Sequence, residues 1–447
     1  MFFPPIDGSP QLDEERPPRS AFARIDTVED LVDEDQIVLL DAVDTWWLKR
    51  DESYVPLSER DWPANGQFPL NWALSTISID GHALRRDIGD FEEGDWITLH
   101  FGHPGEAERP ADQFLSLFSD PTPRGVIRIE RMDDATKARL EKLAGWGEAK
   151  DADPYEIRRV LDRERRLDTV AIYDVGQGAA TALLADGRPA LYFDFGGAAN
   201  GNWRTFPKRV RRFCFEDDPP IVLSHWDWDH WSSALRDHRA LDQTWVLPLQ
   251  ATSGSLGLVH AAFLSMLRSR AQQTLWWPRR VLGIQFKHMN ACLIKAQGRA
   301  KSRNETGLAL VVGGEVYDQC SVLLPADASF GALKGLDSCS FDHIVVPHHG
   351  GRTDLATVPK PRSKRAGHAV YSYGVGNNFL HPLTETQRTL RKTWKNADHT
   401  AFRQRFGVGH VGIDLVGRKK LPFSSRCQHC NLGRKHACDL AIQHWIP

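Results

Sequence analysis

The stretch IVLSHWDWDHW, residues 221–231, opens on a short apolar run and then sets two histidines and two aspartates within six positions. Three tryptophans, Trp226, Trp228 and Trp231, are threaded among and after them. Ile221-Val222-Leu223 reads as a buried strand, and packing gives no reason to collect so much charge at its end. Alternation sends the side chains of His225, Asp227 and Asp229 to one side of an extended segment. The adjacent His230 demands a turn, so the loop can fold around a small, highly charged object. Imidazoles mixed with carboxylates suit a divalent transition metal, and four such ligands can serve two ions. The ordinary alternative is a hydrogen-bonded surface loop. The tryptophans have two readings as well: packing beneath the loop, or, for Trp226 and Trp228, stacking on a base of the substrate at the mouth of the site.

Around this stretch the texture is uniform from residue 169 onward. TVAIYDVGQGAATALLADGRPALYFDFGG predicts two strands joined by the turn ADGR. SVLLPADAS, FDHIVVPHHGG and AVYSYGVGNNFLHP each read as a strand followed by a polar loop. Several strands that deliver polar residues at their carboxyl ends describe a scaffold presenting one composite site. Upstream, residues 1–20 are rich in proline and charge and are expected to be disordered. Residues 21–130 alternate short apolar runs with Gly, Pro and Asp turns, which predicts an acidic β-rich or α+β accessory module. Residues 131–168 read as a charged helical connector.

A chain of 447 residues with 41% hydrophobic content supports more than one core. No apolar run approaches a membrane span and no signal-peptide pattern opens the chain, so a soluble, cytoplasmic protein that does not bind membrane is expected. Seven cysteines, four of them scattered (Cys214, Cys292, Cys320, Cys339), argue against a disulfide scaffold. The formal net charge of -2 conceals an asymmetry: residues 1–168 carry -16 and residues 169–447 carry +14. Basic clusters such as KPRSKR (360–365) fall in the half that carries the metal-like motif, which points to a polyanionic partner, nucleic acid first. Arg362, Lys364 and Arg365 are its candidate substrate-binding residues.

SHWDWDH resembles the His-x-His-x-Asp-His signature of the metallo-β-lactamase fold, with Asp227 in place of the second histidine. Together with DVGQG (174–178), PHHG (347–350) and SYGVGNNFLHP (372–382), it is similar to the soluble hydrolase domain of bacterial competence DNA-uptake proteins. The resemblance implies an αββα sandwich over 169–420, without the transmembrane channel of those proteins. It implies that Asp194 braces the metal loop, that His225 and Asp227 hold one ion, and that Asp229 and His230 hold the other. Asp327 would bridge the two, and one of His348 and His349 would complete a site. His381 would face metal or substrate, and Asp229, Asp194, His381 and Asn378 become the catalytic candidates. Two ions, manganese or zinc, would activate a water between them and clamp the oxygens of a phosphodiester.

At the end of the chain, Cys427, Cys430, His436 and Cys438 make a Cys-x2-Cys-x5-His-x-Cys set suited to a structural zinc site in a tail over 421–447. The expectation is therefore a two-metal phosphodiesterase or nuclease acting on DNA or RNA. The rivals are a small-molecule hydrolase, acting on a cyclic nucleotide, lactone or other ester, and a non-catalytic nucleic-acid-binding or sensor module. The acidic front half is expected either to bind a protein partner, to cover the basic approach to the metals, or to be solvated independently.

Overall fold

The computed structural model describes the chain from Arg19 to Ile446, apart from residues 32–34, 46–73, 103–108, 147–148, 251–254, 314–321, 337, 364, 404–406, 417–439, 441 and 443. The tail candidates Cys427, Cys430, His436 and Cys438, and Lys364, lie outside the described residues.

The front half is built on a closed antiparallel barrel. Its strands are β1 (Ser20–Asp30), β2 (Gln36–Asp44), β3 (Leu74–Asp80), β4 (Trp96–Gly102), β5 (Arg109–Phe114) and β6 (Thr122–Arg131), in the order β1-β2-β3-β5-β6-β4. Ala21, Ala23 and Ile25 point inward from β1 and meet Leu40, Ile77, Ile97, Leu99 and Val126. The helix Gly81–Ile88, capped by the Asp80 carboxylate on the Ala83 amide, adds Leu84 and Ile88 to that core. Two short helices follow, Asp134–Leu143 and Pro154–Leu161, each opened by an aspartate cap.

From Thr169 onward two mixed sheets face each other. The first has eight strands, in the order Gln273–Trp276, Thr244–Leu247, Ile221–Val222, Arg188–Phe195, Ala180–Ala185, Thr169–Ile172, Val411–Asp414 and His444–Ile446. The second has seven: Gly283–Phe286, Ala291–Lys295, Leu308–Val312, Val322–Leu324, His343–Val345, His368–Tyr371 and Asn396–His399. Strand periodicity explains the packing. Leu191 and Phe193 of one sheet meet Leu308, Leu310 and Val312 of the other between the layers. Tyr192 turns instead to the outer layer, where Val259, Phe263 and Leu267 of the helix Leu258–Arg270 cover the first sheet. Ala309 and Val311 turn outward to Leu390 of the helix Thr384–Thr393 and to Trp394. This helix–sheet–sheet–helix layering is a mixed α/β architecture consistent with the metallo-β-lactamase-like arrangement expected of this region.

The run 169–195 forms three strands rather than the two expected, because Gly176 and Gly178 take positive φ and turn DVGQG into a connection between the first two. Arg188–Phe195, Ile221–Val222, Thr244–Leu247 and Gln273–Trp276 run parallel, as do Val322–Leu324, His343–Val345 and His368–Tyr371. Their carboxyl ends therefore share an edge, and the loops leaving that edge carry the candidate ligands. Among the described residues no helix is long and apolar enough to cross a membrane.

Candidate metal centre

The chain stays extended through Asp227 and then makes a single helical turn, Trp228–Trp231, so Asp229 and His230 leave the strand line that alternation alone would give them. Two glycines make room for this turn. A Cβ on Gly196 would stand 1.7 Å from the Asp229 carbonyl oxygen, and one on Gly178 would stand 2.7 Å from it. The same carbonyl accepts from the Ala179 amide at 3.0 Å, which fastens the turn to the end of the neighbouring strand. Asp194, held at φ 60, clamps the loop from below. One of its oxygens accepts from the Ser224 amide at 2.7 Å and the other from His230 Nδ1 at 2.8 Å.

Those bonds decide where the imidazole lone pairs point. His230 donates through Nδ1 to Asp194, and His349 donates through Nδ1 to the Ser372 carbonyl at 2.7 Å. His225 Nδ1 lies 2.9 Å from Ser224 Oγ. In all three rings Nε2 is buried and has no hydrogen-bond partner. A histidine oriented by its other nitrogen is the usual arrangement of a metal ligand. His349 Nε2 lies 3.2 Å from Asp229 Oδ2 and 3.9 Å from Asp327 Oδ1, and His230 Nε2 lies 3.2 Å from the same Asp327 oxygen. Two sets of donor atoms converge closely enough to hold an ion, Asp229 with His230 and His349, and His225 with His230 and Asp327. The residues present thus fit a divalent cation.

The electrostatics agree. Burial pushes the Asp327 carboxyl up, but His230 and His349 beside it hold it well below the usual carboxylate range. Burial pushes His230 and His349 down, yet neighbouring carboxylates, Asp327 first, hold both above the ordinary imidazole value. The carboxylates that favour protons on these imidazoles would equally attract a cation, whose binding would displace the Nε2 protons.

Asp227 lies beside His225, the residue expected to share an ion with it, but is also held by Arg303. Its Oδ1 is 3.2 Å from Arg303 Nε and its Oδ2 is 3.3 Å from His225 Nε2. It belongs to neither converging set. Of the adjacent histidines, His349 enters a candidate set, whereas His348 Nε2 bonds Glu29 of the barrel at 2.7 Å. His381 stands beside His348 with ring centroids 5.3 Å apart, and its buried Nε2 has no hydrogen-bond partner.

A cleft opens above the centre between the sandwich and the barrel. Asp227, Trp228, Asp229, Asp327, His348 and His349 line one side, with Gln177, Asn202 and Asn378 near them. Glu29, Ile37, Leu39, Ser78, Asp112 and Phe114 of the barrel line the other. The substrate-binding candidates fall in different places. Trp226 is fully buried and its indole N–H donates to the Pro248 carbonyl, so it packs beneath the loop and cannot stack a base. Trp231 is fully buried too, against Phe263. Trp228 borders the cleft while stacking on His260 with centroids 5.4 Å apart. Arg362 pairs with Asp342, and neither it nor Arg365 lines the cleft. No lysine or arginine appears among the described lining residues.

Sequence reasoning missed Glu29, Arg303, Asp26 and His260. None sits in a motif: Asp26 and Glu29 look like ordinary acids of a strand, and Arg303 looks like one more charge in a polar loop.

No protein-family model matches the chain. No curated protein matches it either. Among solved structures it is similar to Zn(2+)-bound PqqB from Methylobacterium extorquens, at 10% identity and a TM-score of 0.29, over 50% of this chain and 85% of that one.

Proposed function

We propose that the chain is a metal-dependent hydrolase of the metallo-β-lactamase type and that its substrate is a phosphodiester, in DNA, RNA or a nucleotide. The observation that carries this is the convergence of the bare His230 and His349 Nε2 atoms with Asp229 and Asp327 on the floor of an open cleft. A divalent ion held there would neutralise the phosphate and lower the pKa of a bound water. The protein's own part is positional. Asp194 and the Ser372 carbonyl aim the two imidazoles, while Gln177, Asn202 and Asn378 offer amides to the substrate from the cleft wall. With a carboxylate in each set, manganese suits the site as well as zinc. The resemblance of the ordered motifs to the competence hydrolase domains supports a phosphodiester over other esters.

A second reading, a small-molecule hydrolase, is favoured by the cleft lining. Glu29 and Asp112 face the substrate space, with no lysine or arginine among the described lining residues. The experiment is incubation of metal-reconstituted protein with labelled single- and double-stranded DNA and RNA, a cyclic dinucleotide and a chromogenic phosphodiester, over a salt series. A nucleic-acid substrate should bind far more weakly as salt rises, because displaced counterions drive phosphate contacts. Turnover of small esters alone, indifferent to salt, selects the second reading. No hydrolysis of any of them by the metal-loaded chain would refute the proposal.

A further inference from the structure

The first strand of the barrel contains an extra residue. Ile25 pairs with Leu40 and Thr27 with Leu39, so Asp26 has no partner on β2 and forms a bulge. One extra residue reverses the in–out alternation of a strand. Before it Ala21, Ala23 and Ile25 face the barrel core; after it Thr27 and Glu29 face outward, along with Arg24 and Asp26. All four outward side chains are buried, because the sandwich lies against them. Arg24 donates to the Ser255 carbonyl at 3.1 Å. Asp26 pairs with Arg303 Nη2 at 2.9 Å and lies 3.2 Å from His260 Nε2. Arg303 in turn holds Asp227 and donates to the Trp226 carbonyl at 2.7 Å, so one guanidinium ties the barrel to two residues of the metal loop. Glu29 reaches further, to His348 Nε2, which also lies 3.8 Å from Asp327 Oδ2.

We propose that the barrel is a permanent half of the active site rather than a cover over it, and that Glu29 is a positioning residue that withholds His348 from the ion and turns it to the cleft. This rests on the metal reading above. His348 and His349 are neighbours in one left-handed bend, at φ 51 and 54, and both Nε2 atoms approach Asp327. An ion on Asp327 would attract either ring. A nitrogen that donates its proton to a carboxylate has no lone pair left for a metal. Glu29 therefore assigns the two roles, one ring to the ion and one to the wall. A detachable cover held by charge would loosen in salt, but buried ion pairs are screened far less than exposed ones.

The test uses the full chain loaded with cobalt(II), whose visible bands report the ligand set. Glu29→Ala should shift those bands as the freed His348 reaches the ion, and the Glu29→Ala, His348→Ala double variant should restore them. Glu29→Gln keeps an oxygen that accepts from Nε2 and should retain the wild-type bands. Hydrolysis of a chromogenic phosphodiester by Glu29→Ala should lose about 10–100-fold in kcat, the usual cost of removing a residue that orients a site, with KM little changed. Unaltered bands in a cobalt-loaded Glu29→Ala protein, or faster turnover, would overturn the proposal. If that variant fails to fold, His348→Ala decides: wild-type bands support the assignment and altered bands overturn it. Failure of the wild-type chain to take up cobalt would instead overturn the metal reading, and this inference with it.

Discussion

Asp41 on β2 offers a direct measure of how firmly the barrel is seated. It is fully buried, and its Oδ2 accepts from the Val259 amide at 2.8 Å, at the start of the helix Leu258–Arg270. Burial, with Asp26 adding to it, pushes the carboxyl up to about 8. In the unfolded chain the same group ionises near about 3.9. Between those values the folded chain binds one more proton than the unfolded chain. This contribution is therefore fully present below about pH 4, falls by about 1.4 kcal/mol per pH unit, and levels off above about pH 8. The substitution Asp41→Asn would mimic the neutral carboxyl without titrating. Between pH 5.5 and 7.5 the wild type should thus lose about 3 kcal/mol relative to Asp41→Asn. Groups that titrate alike in both proteins cancel from that difference. Urea unfolding at pH 5.5, 6.5 and 7.5, followed by tryptophan fluorescence, measures it. Parallel stability profiles would show that Asp41 is ionised in the fold, and the account of its burial between barrel and sandwich would fail.

Other outcomes follow from the metal centre and the tail. Asp327→Ala removes a carboxylate that meets both His230 and His349, so metal content by elemental analysis and turnover should both collapse while thermal unfolding stays cooperative. Asp194→Ala frees the His230 ring, and metal affinity measured by chelator competition should fall about 10–100-fold. Gly196→Ala places a methyl against the Asp229 carbonyl; activity should drop sharply, and a fully active variant would show that the metal turn can sit elsewhere. The Cys427→Ser, Cys430→Ser double variant should lose one zinc per chain and become sensitive to protease after about residue 420, as expected where a metal folds a segment with little core of its own.

The strand that precedes SHWDWDH and the ligand character of its residues were legible because each depends on chain geometry over a few residues. The bracing role of Asp194 was implied only by the resemblance, its partners Ser224 and His230 lying 30 and 36 positions away. A strand end followed by an abrupt turn can be read from local alternation. The strands of the sandwich were legible for a similar reason, since several apolar runs each ended in polar residues, while their αββα layering was implied only by the resemblance of the motifs. The different placement of His348 and His349 was not legible, because His348 meets Glu29, 319 positions away. Nor was the burial of Trp226, which follows from how the loop meets Pro248 and Trp276. The net charge of +14 over residues 169–447 predicted a basic approach to the metals, yet the described cleft lining contains no basic residue but its histidines, because a sum over sequence does not say which face carries the charge. Sequence by itself determined which donor residue types gather at the candidate site, because they lie at short spacing. Tertiary structure decided which of those residues converge and what wall stands opposite. A single bulged residue on β1 reverses the facing of every side chain after it, and only the pairing with β2 reveals that the bulge is there.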